Sequence, residues 1–165
     1  MNKKITARFL ARQGIAAALY AVLTLALQNL SYGPLQFRVS EVMTLLAFFN
    51  PEYIWGLTLG CFLANLLSPY LMDIIIGTLA SFIAVYAMSK CKNIWVASIM
   101  PAIANILVAI QIVFISGEPG NFFIIAAQIM LSELIIVTII GVPLFKILTK
   151  NKSFVETLEL NKKRL

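Results

Sequence analysis

The chain has 165 residues, 61% of them hydrophobic and 12% charged, with a formal net charge of +6 and no histidine. A soluble domain of this size has no interior for so much apolar surface, so the solvent for most of it is lipid, and the lack of histidine excludes His-based metal sites, Ser/His/Asp triads and zinc-peptidase motifs. The basic residues stand between and beyond apolar segments rather than on one folded polar face, which excludes nucleic acid as the partner and points to membrane topology.

Six apolar segments follow one another at 13–30, 39–49, 53–67, 70–89, 94–115 and 122–148. They predict an all-α polytopic membrane protein, a six-transmembrane-helix bundle filling a single domain over residues 1–150, with a short basic tail over 151–165. The breaks read SYGP, NPE, SP, KCKN and SGEPGN, each rich in turn formers. In NPE, Asn50 is placed to cap a helix with Pro51 at its first position and Glu52 beside the positive helix end. Segments 39–49 and 53–67 are shorter than the roughly 20 residues a bilayer asks for, so they tilt, thin the membrane or dip back as a hairpin. In the tail, Ser153 and Glu156 have capping-box spacing, predicting a short surface helix beside anionic lipid.

Twelve of the thirteen Lys and Arg residues fall on one side of this arrangement: Lys3, Lys4, Arg8 and Arg12, then Lys90 and Lys92, then Lys146, Lys150, Lys152, Lys162, Lys163 and Arg164. The positive-inside rule makes that side cytoplasmic and places both termini there, in a multi-pass protein of the cell membrane. Trp55, Trp95 and Tyr86 then fall near the inner boundary, with Tyr32 and Tyr70 near the outer one. Arg38 is the exception, a basic residue on the outer side. Cys61 and Cys91 match no metal-binding spacing and read as free thiols.

With orientation assigned, the intramembrane polar residues gather in the outer half. Gln28 and Asn29 close the first segment, Gln36, Arg38 and Glu41 enter the second, Asn65 ends the third and Asp73 opens the fourth. Gln111 and Gln128 lie in the outer halves of the fifth and sixth. Asn105 and Glu133 lie roughly 16 Å along their helices, near the midplane. Each such group needs a partner in hydrocarbon, so one polar cavity open to the outside is the economical arrangement. Pro101, one turn before Asn105, permits a bend that widens it. Local readings compete. Arg38 and Glu41 have the spacing of an i, i+3 salt bridge, Asp73 that of a helix-end partner, and Gln28, Asn29 and Gln111 that of caps or interhelical bonds. Glu133, a mid-span carboxylate whose own segment holds no basic residue until Lys146, is the strongest functional candidate.

Ala7, Ala11, Gly14, Ala18 and Ala21 form a small-residue stripe, with Ala17 and Ala21 adding an AxxxA spacing. Such a surface serves packing inside the bundle or docking of another protein. No GxxxxGK[ST] phosphate loop occurs, so ATP is not hydrolysed here by that route. The residues fit a solute-binding membrane subunit without catalysis of its own, or alternatively a self-sufficient ion-coupled carrier or channel for a small polar solute.

The phrases PLQFRVSEVMTLLAFFNPE, GCFLANLLSP, DIIIGTLAS, PAIAN and SELIIVTIIG, taken together, resemble the queuosine-precursor transporter (QueT-type) family of S components of energy-coupling-factor (ECF) transporters. The SE at Ser132 and Glu133 stands where GE is commoner in that pattern, which keeps the carboxylate and alters the packing beside it. The resemblance implies a six-helix subunit that captures a 7-deazaguanine, such as 7-aminomethyl-7-deazaguanine, from outside and joins a T component and two ATP-binding subunits. It implies no enzyme activity and no cofactor or metal. On this reading Glu133 and Asp73 or Glu41 take the ring edge and the aminomethyl cation. Asn65, Asn105 and Gln128 satisfy the remaining edge groups, Arg38 and Glu41 form a rim, and Ala17 and Ala21 mark the docking helix. Tyr32, Phe37 and Phe122 are candidates to cover the ring.

Overall fold

A computed structural model describes residues 6–33, 36–117, 120–161 and 164. Within them every regular element is helical. Four helices are long and apolar enough to cross a membrane: α1 (Ala7–Ala26), α4 (Leu71–Lys90), α5 (Ile94–Ile115) and α6 (Phe122–Leu148). Two shorter apolar helices, α2 (Val39–Phe49) and α3 (Tyr53–Asn65), lie between α1 and α4. The short α7 (Lys152–Thr157) follows α6.

Side-chain caps explain where these helices begin. The Thr6 hydroxyl accepts from the Phe9 amide at 3.2 Å, so α1 starts one and a half turns before the apolar run, with Arg8 and Arg12 inside it. Asparagine does the same elsewhere: Asn93 for Trp95 at 2.8 Å, Asn121 for Phe123 at 2.9 Å and Asn151 for Phe154 at 3.3 Å. Asn50 accepts from the Glu52 amide at 3.0 Å, but in a turn rather than as a helix cap: Pro51 and Glu52 lie in that turn and α3 begins only at Tyr53, without a side-chain cap. In the tail the cap is Asn151 and not the expected Ser153, which lies inside α7. An Asn at the N-cap binds the first free amides as well as a serine does, and it comes first in the chain.

Lipid offers no hydrophobic drive between helices, so close backbone approach must do that work. α1 and α3 show it. The Gly56 amide donates to Gln13 Oε1 at 2.9 Å, and a Cβ built on Gly60 would stand 2.7 Å from the Ala17 carbonyl oxygen. Ala16, Ala17 and Ala21 are buried in this contact, whereas Ala7, Ala11, Gly14 and Ala18 face outward. Large apolar side chains such as Trp55, Leu71, Phe123 and Ile139 cover the outside, while Ser40, Glu41, Asn65 and Asp73 are buried, the inverse of a soluble domain.

α5 and α6 depart from regular α geometry where the sequence places its midplane polar groups. In α5 the regular run Ile94–Ala104, with Pro101 inside it, breaks at Asn105 and ends in a π-helical turn, Gln111–Ile115. In α6 the α-helix Phe122–Glu133 passes directly into π-helical turns over Leu134–Gly141. Ile129, Glu133, Val137, Gly141 and Phe145 are all buried, a spacing of four held through five positions. In a straight α-helix each such step drifts by about 40°. The wider π turns cancel that drift and keep all five on the inner side.

The start of α1 and the described part of the tail meet at one end of the bundle. Arg12 of α1 pairs with Glu52 at 3.2 Å and with Glu159 of the tail at 2.7 Å. Arg164 donates to the carbonyls of Phe48 at 2.6 Å and Ser89 at 2.9 Å, near the C-terminal ends of α2 and α4, which want a cation. Val155 and Leu160 are buried in the main core. The tail is thus packed onto the bundle, more than the surface helix expected of it. Trp95 beneath Lys146 and Tyr86 beneath Lys90 stand at the same end, with the cations 4.9 and 5.1 Å from the ring centres.

Candidate functional site

The opposite end, away from the termini, collects the polar residues. Asp73 opens α4 in a single 3₁₀ turn, Leu71–Ile74, and is wholly buried. Its Oδ1 accepts from Gln111 Nε2 of α5 at 2.7 Å and its Oδ2 from the Ser68 hydroxyl at 2.7 Å. Arg38 Nη2 stands 3.6 Å from Oδ2. Asn65, at the end of α3, donates to the Asp73 carbonyl at 2.9 Å and to the Thr78 hydroxyl at 3.2 Å. Three side chains, Gln111, Ser68 and Arg38, therefore converge on the carboxylate, and Asn65 holds the backbone beneath it.

A second centre lies where α5 and α6 are irregular. Asn105, at the break in α5, donates from Nδ2 to Glu133 Oε1 at 2.6 Å. Glu133 is 2% exposed, and its Oε2 has no hydrogen-bond partner within the described protein. Asn65 Oδ1, Gln111 Oε1 and Arg38 Nη2 share that condition. Leaving a buried polar atom unpaired costs about 1–3 kcal/mol each. The three unpaired acceptors suit a ligand rich in N–H groups.

The expected Arg38–Glu41 salt bridge gives way to a different pairing. Arg38 has extended backbone, φ −91° and ψ 94°, ahead of the 3₁₀ turns that begin α2, so its side chain leaves toward α4 and Asp73. Glu41 instead accepts a short hydrogen bond from the Tyr20 hydroxyl of α1. Next to it, Thr24 and Ser40 share a hydrogen bond of 2.7 Å, and the Thr44 hydroxyl returns to the Glu41 carbonyl at 2.5 Å.

Gln128 is apart from both carboxylate centres. It lines a cavity of about 460 Å³ with Tyr32, Gln36, Tyr70 and Asn121, at the same end of the bundle. That volume lies in the range of small-molecule sites. Tyr32 forms its wall, donating to the Ala64 carbonyl at 2.7 Å and lying under the Arg38 guanidinium at 5.4 Å. Phe37 packs on the main core and Phe122 on Phe114, so these two rings are structural. Pro34 and Leu35 of the SYGPLQF loop, and Lys3, Lys4, Lys162 and Lys163, lie outside the described residues.

The family model described as QueT transporter matches residues 10–150. The chain belongs to the QueT transporter family. It is thereby a member of a family of membrane transporters, not of enzymes. A segment of 71 residues is 48% identical to a protein of Lactococcus lactis subsp. cremoris named queuosine precursor transporter QueT, a match covering 42% of this chain and 42% of that relative's length. No solved structure matches the chain. Within this QueT chain, Gln111 makes an interhelical bond, one of the readings its sequence position leaves open, while Ser68 and Tyr20 carry no signal in the sequence. Gln111 is wholly buried and holds Asp73. Its position two turns beyond Asn105 on α5, in an otherwise apolar run, was the signal that placed it near the cavity.

Proposed function

We propose that this chain is the substrate-binding S component of an ECF-type importer and captures a queuosine precursor, a 7-deazaguanine such as 7-aminomethyl-7-deazaguanine. The observation that carries this reading is the set of buried acceptors without partners: Gln111 Oε1 and Asn65 Oδ1 on the two amides bonded to Asp73, and Glu133 Oε2 at the second centre beside Asn105. A 7-deazaguanine presents ring N–H and amino donors along one edge, and a carboxylate accepts an adjacent pair of them in bidentate fashion. Asp73 takes that edge. Glu133 takes the aminomethyl cation, with Asn105 fixing its other oxygen, and Asn65 and Gln111 complete the ring contacts. The cavity beside Tyr32 and Gln128 is the approach.

In this reading all six apolar helices span or enter the bilayer, both termini are cytoplasmic, and the polar end faces outside. That orientation follows from the basic residues at the opposite end. The energy comes from a T component and two ATP-binding subunits. They dock on the outward face of α1, where Ala7, Ala11, Gly14 and Ala18 allow close helix approach. Ala17 and Ala21 act inside the bundle, against α3. An apolar groove of about 530 Å³ between Ile15 and Leu19 of α1 and Ile140 and Leu144 of α6 extends the docking face.

The test is direct binding by the purified chain of a panel of 7-deazaguanines, guanine and unrelated vitamins. Preference for an unrelated vitamin removes the substrate assignment. Uptake into liposomes by this chain without any ATPase would instead identify a self-sufficient carrier, with Glu133 as its charge-bearing group.

A further inference from the structure

Arg38 is held in an unusual way for a buried guanidinium. It is 5% exposed, yet its Nη2 makes no hydrogen bond and stands 3.6 Å from Asp73 Oδ2, beyond hydrogen-bond length. Its Nε reaches the Ser31 carbonyl only at 3.5 Å, and the Tyr32 ring lies 5.4 Å below. Charge and ring contact keep it in place without the paired bonds that ordinarily offset burying an arginine.

Asp73 has capacity to spare. A carboxylate offers about four lone-pair directions. Gln111 and Ser68 use two of them, at 2.7 Å each. What remains is approached by a guanidinium, and a guanidinium has the same donor pattern as the aminopyrimidinone edge of a guanine-like base: an amino group and a ring N–H on one shared carbon. The two groups ask the same thing of the same oxygens.

Resting on the substrate reading above, we propose that Arg38 is an internal competitor, holding with its own guanidinium the place on Asp73 that the ligand's aminopyrimidinone edge takes. Capture exchanges the side chain for the ligand. Two residues before Arg38, Gln36 has a φ of +45°, lines the 460 Å³ cavity together with Tyr32, and donates from its amide to the Gly33 carbonyl at 2.8 Å. Arg38 also lies over the Tyr32 ring, which lines the same cavity, so the exchange takes place beside the approach.

The experiment compares wild type, Arg38→Met and Arg38→Lys in nanodiscs, with 7-aminomethyl-7-deazaguanine as ligand and methylguanidinium as a substitute for the arginine head. Removing the competitor raises the competent fraction, so Arg38→Met is expected to bind the ligand about tenfold more tightly than wild type. Millimolar methylguanidinium raises the melting temperature of Arg38→Met, leaves wild type unchanged, and competes with the ligand in the variant. Weaker binding by a folded Arg38→Met, or no response to methylguanidinium, overturns the proposal. If Arg38→Met does not fold, Arg38→Lys decides. It keeps the charge beside Asp73 and lacks the planar fork, so about threefold tighter binding is expected, and equal or weaker binding overturns the proposal. Stabilisation of Arg38→Met by methylguanidinium needs no substrate; should it occur while wild type binds no 7-deazaguanine, the substrate reading alone falls.

Discussion

Replacing Glu133 with glutamine isolates the charge at the centre between α5 and α6. The swap keeps an oxygen for the Asn105 amide, now 2.6 Å from Oε1, and keeps the volume of a side chain that is 2% exposed. It removes the negative charge and turns the unpaired Oε2 position into a donor. Breaking a buried charge pair by neutralising one member costs about 2–5 kcal/mol of binding; a value near 3 kcal/mol corresponds to about 150-fold in Kd. The fold gains from the same change, since a buried carboxylate with one free oxygen is no longer desolvated. Calorimetric titration with 7-aminomethyl-7-deazaguanine and with its 7-methyl analogue reads both effects. The expected outcome is a loss of about two orders of magnitude for the aminated ligand, little change for the methyl analogue, and a melting temperature equal to or above wild type. Equal losses for both ligands with a lower melting temperature would show that Glu133 organises the bundle and does not meet the cation.

Glu41→Ala is expected to weaken capture about tenfold by leaving the Tyr20 hydroxyl without its acceptor at the neck of α1 and α2, measured in the same titration. Gly60→Val forces a Cβ to within 2.7 Å of the Ala17 carbonyl, so α1 must separate from α3; thermal unfolding in detergent should show a loss of at least about 2 kcal/mol. Arg164→Ala removes two charged hydrogen bonds to helix-end carbonyls, at 2.6 and 2.9 Å, and is expected to cost about 2 kcal/mol of stability while leaving ligand affinity unchanged.

Much of the architecture was legible from hydropathy alone. The segments read at 39–49, 94–115 and 122–148 match the helices Val39–Phe49, Ile94–Ile115 and Phe122–Leu148. The start of α1 was missed because hydropathy discounts Arg8 and Arg12, whereas a helix needs only its cap, supplied by Thr6. Depth along each helix also brought Arg38, Asn65 and Asp73 to one end and Asn105 to Glu133. Partner choice was not legible. The i, i+3 rule pairs Arg38 with Glu41 only if both are helical, and Arg38 is extended. Likewise the AxxxA spacing names a packing face without naming what packs on it. Gly60 of α3 is what commits Ala17 to the interior.

The π-helical run over Leu134–Gly141 has a bearing on how the protein tolerates length changes. Deleting one residue there with the turns left unchanged would rotate everything beyond it by about 100°, whereas tightening of the run into ordinary α turns works in the opposite sense. In the first case Phe145 would leave its stack on Phe49, 5.7 Å away between ring centres, and swing toward the acyl chains. A single deletion in this stretch can therefore be taken up by tightening of the wide turns, with the lower half of α6 kept near its present face, and scanning mutagenesis that assumes one continuous helical wheel from Phe122 to Leu148 will misjudge which side each position faces.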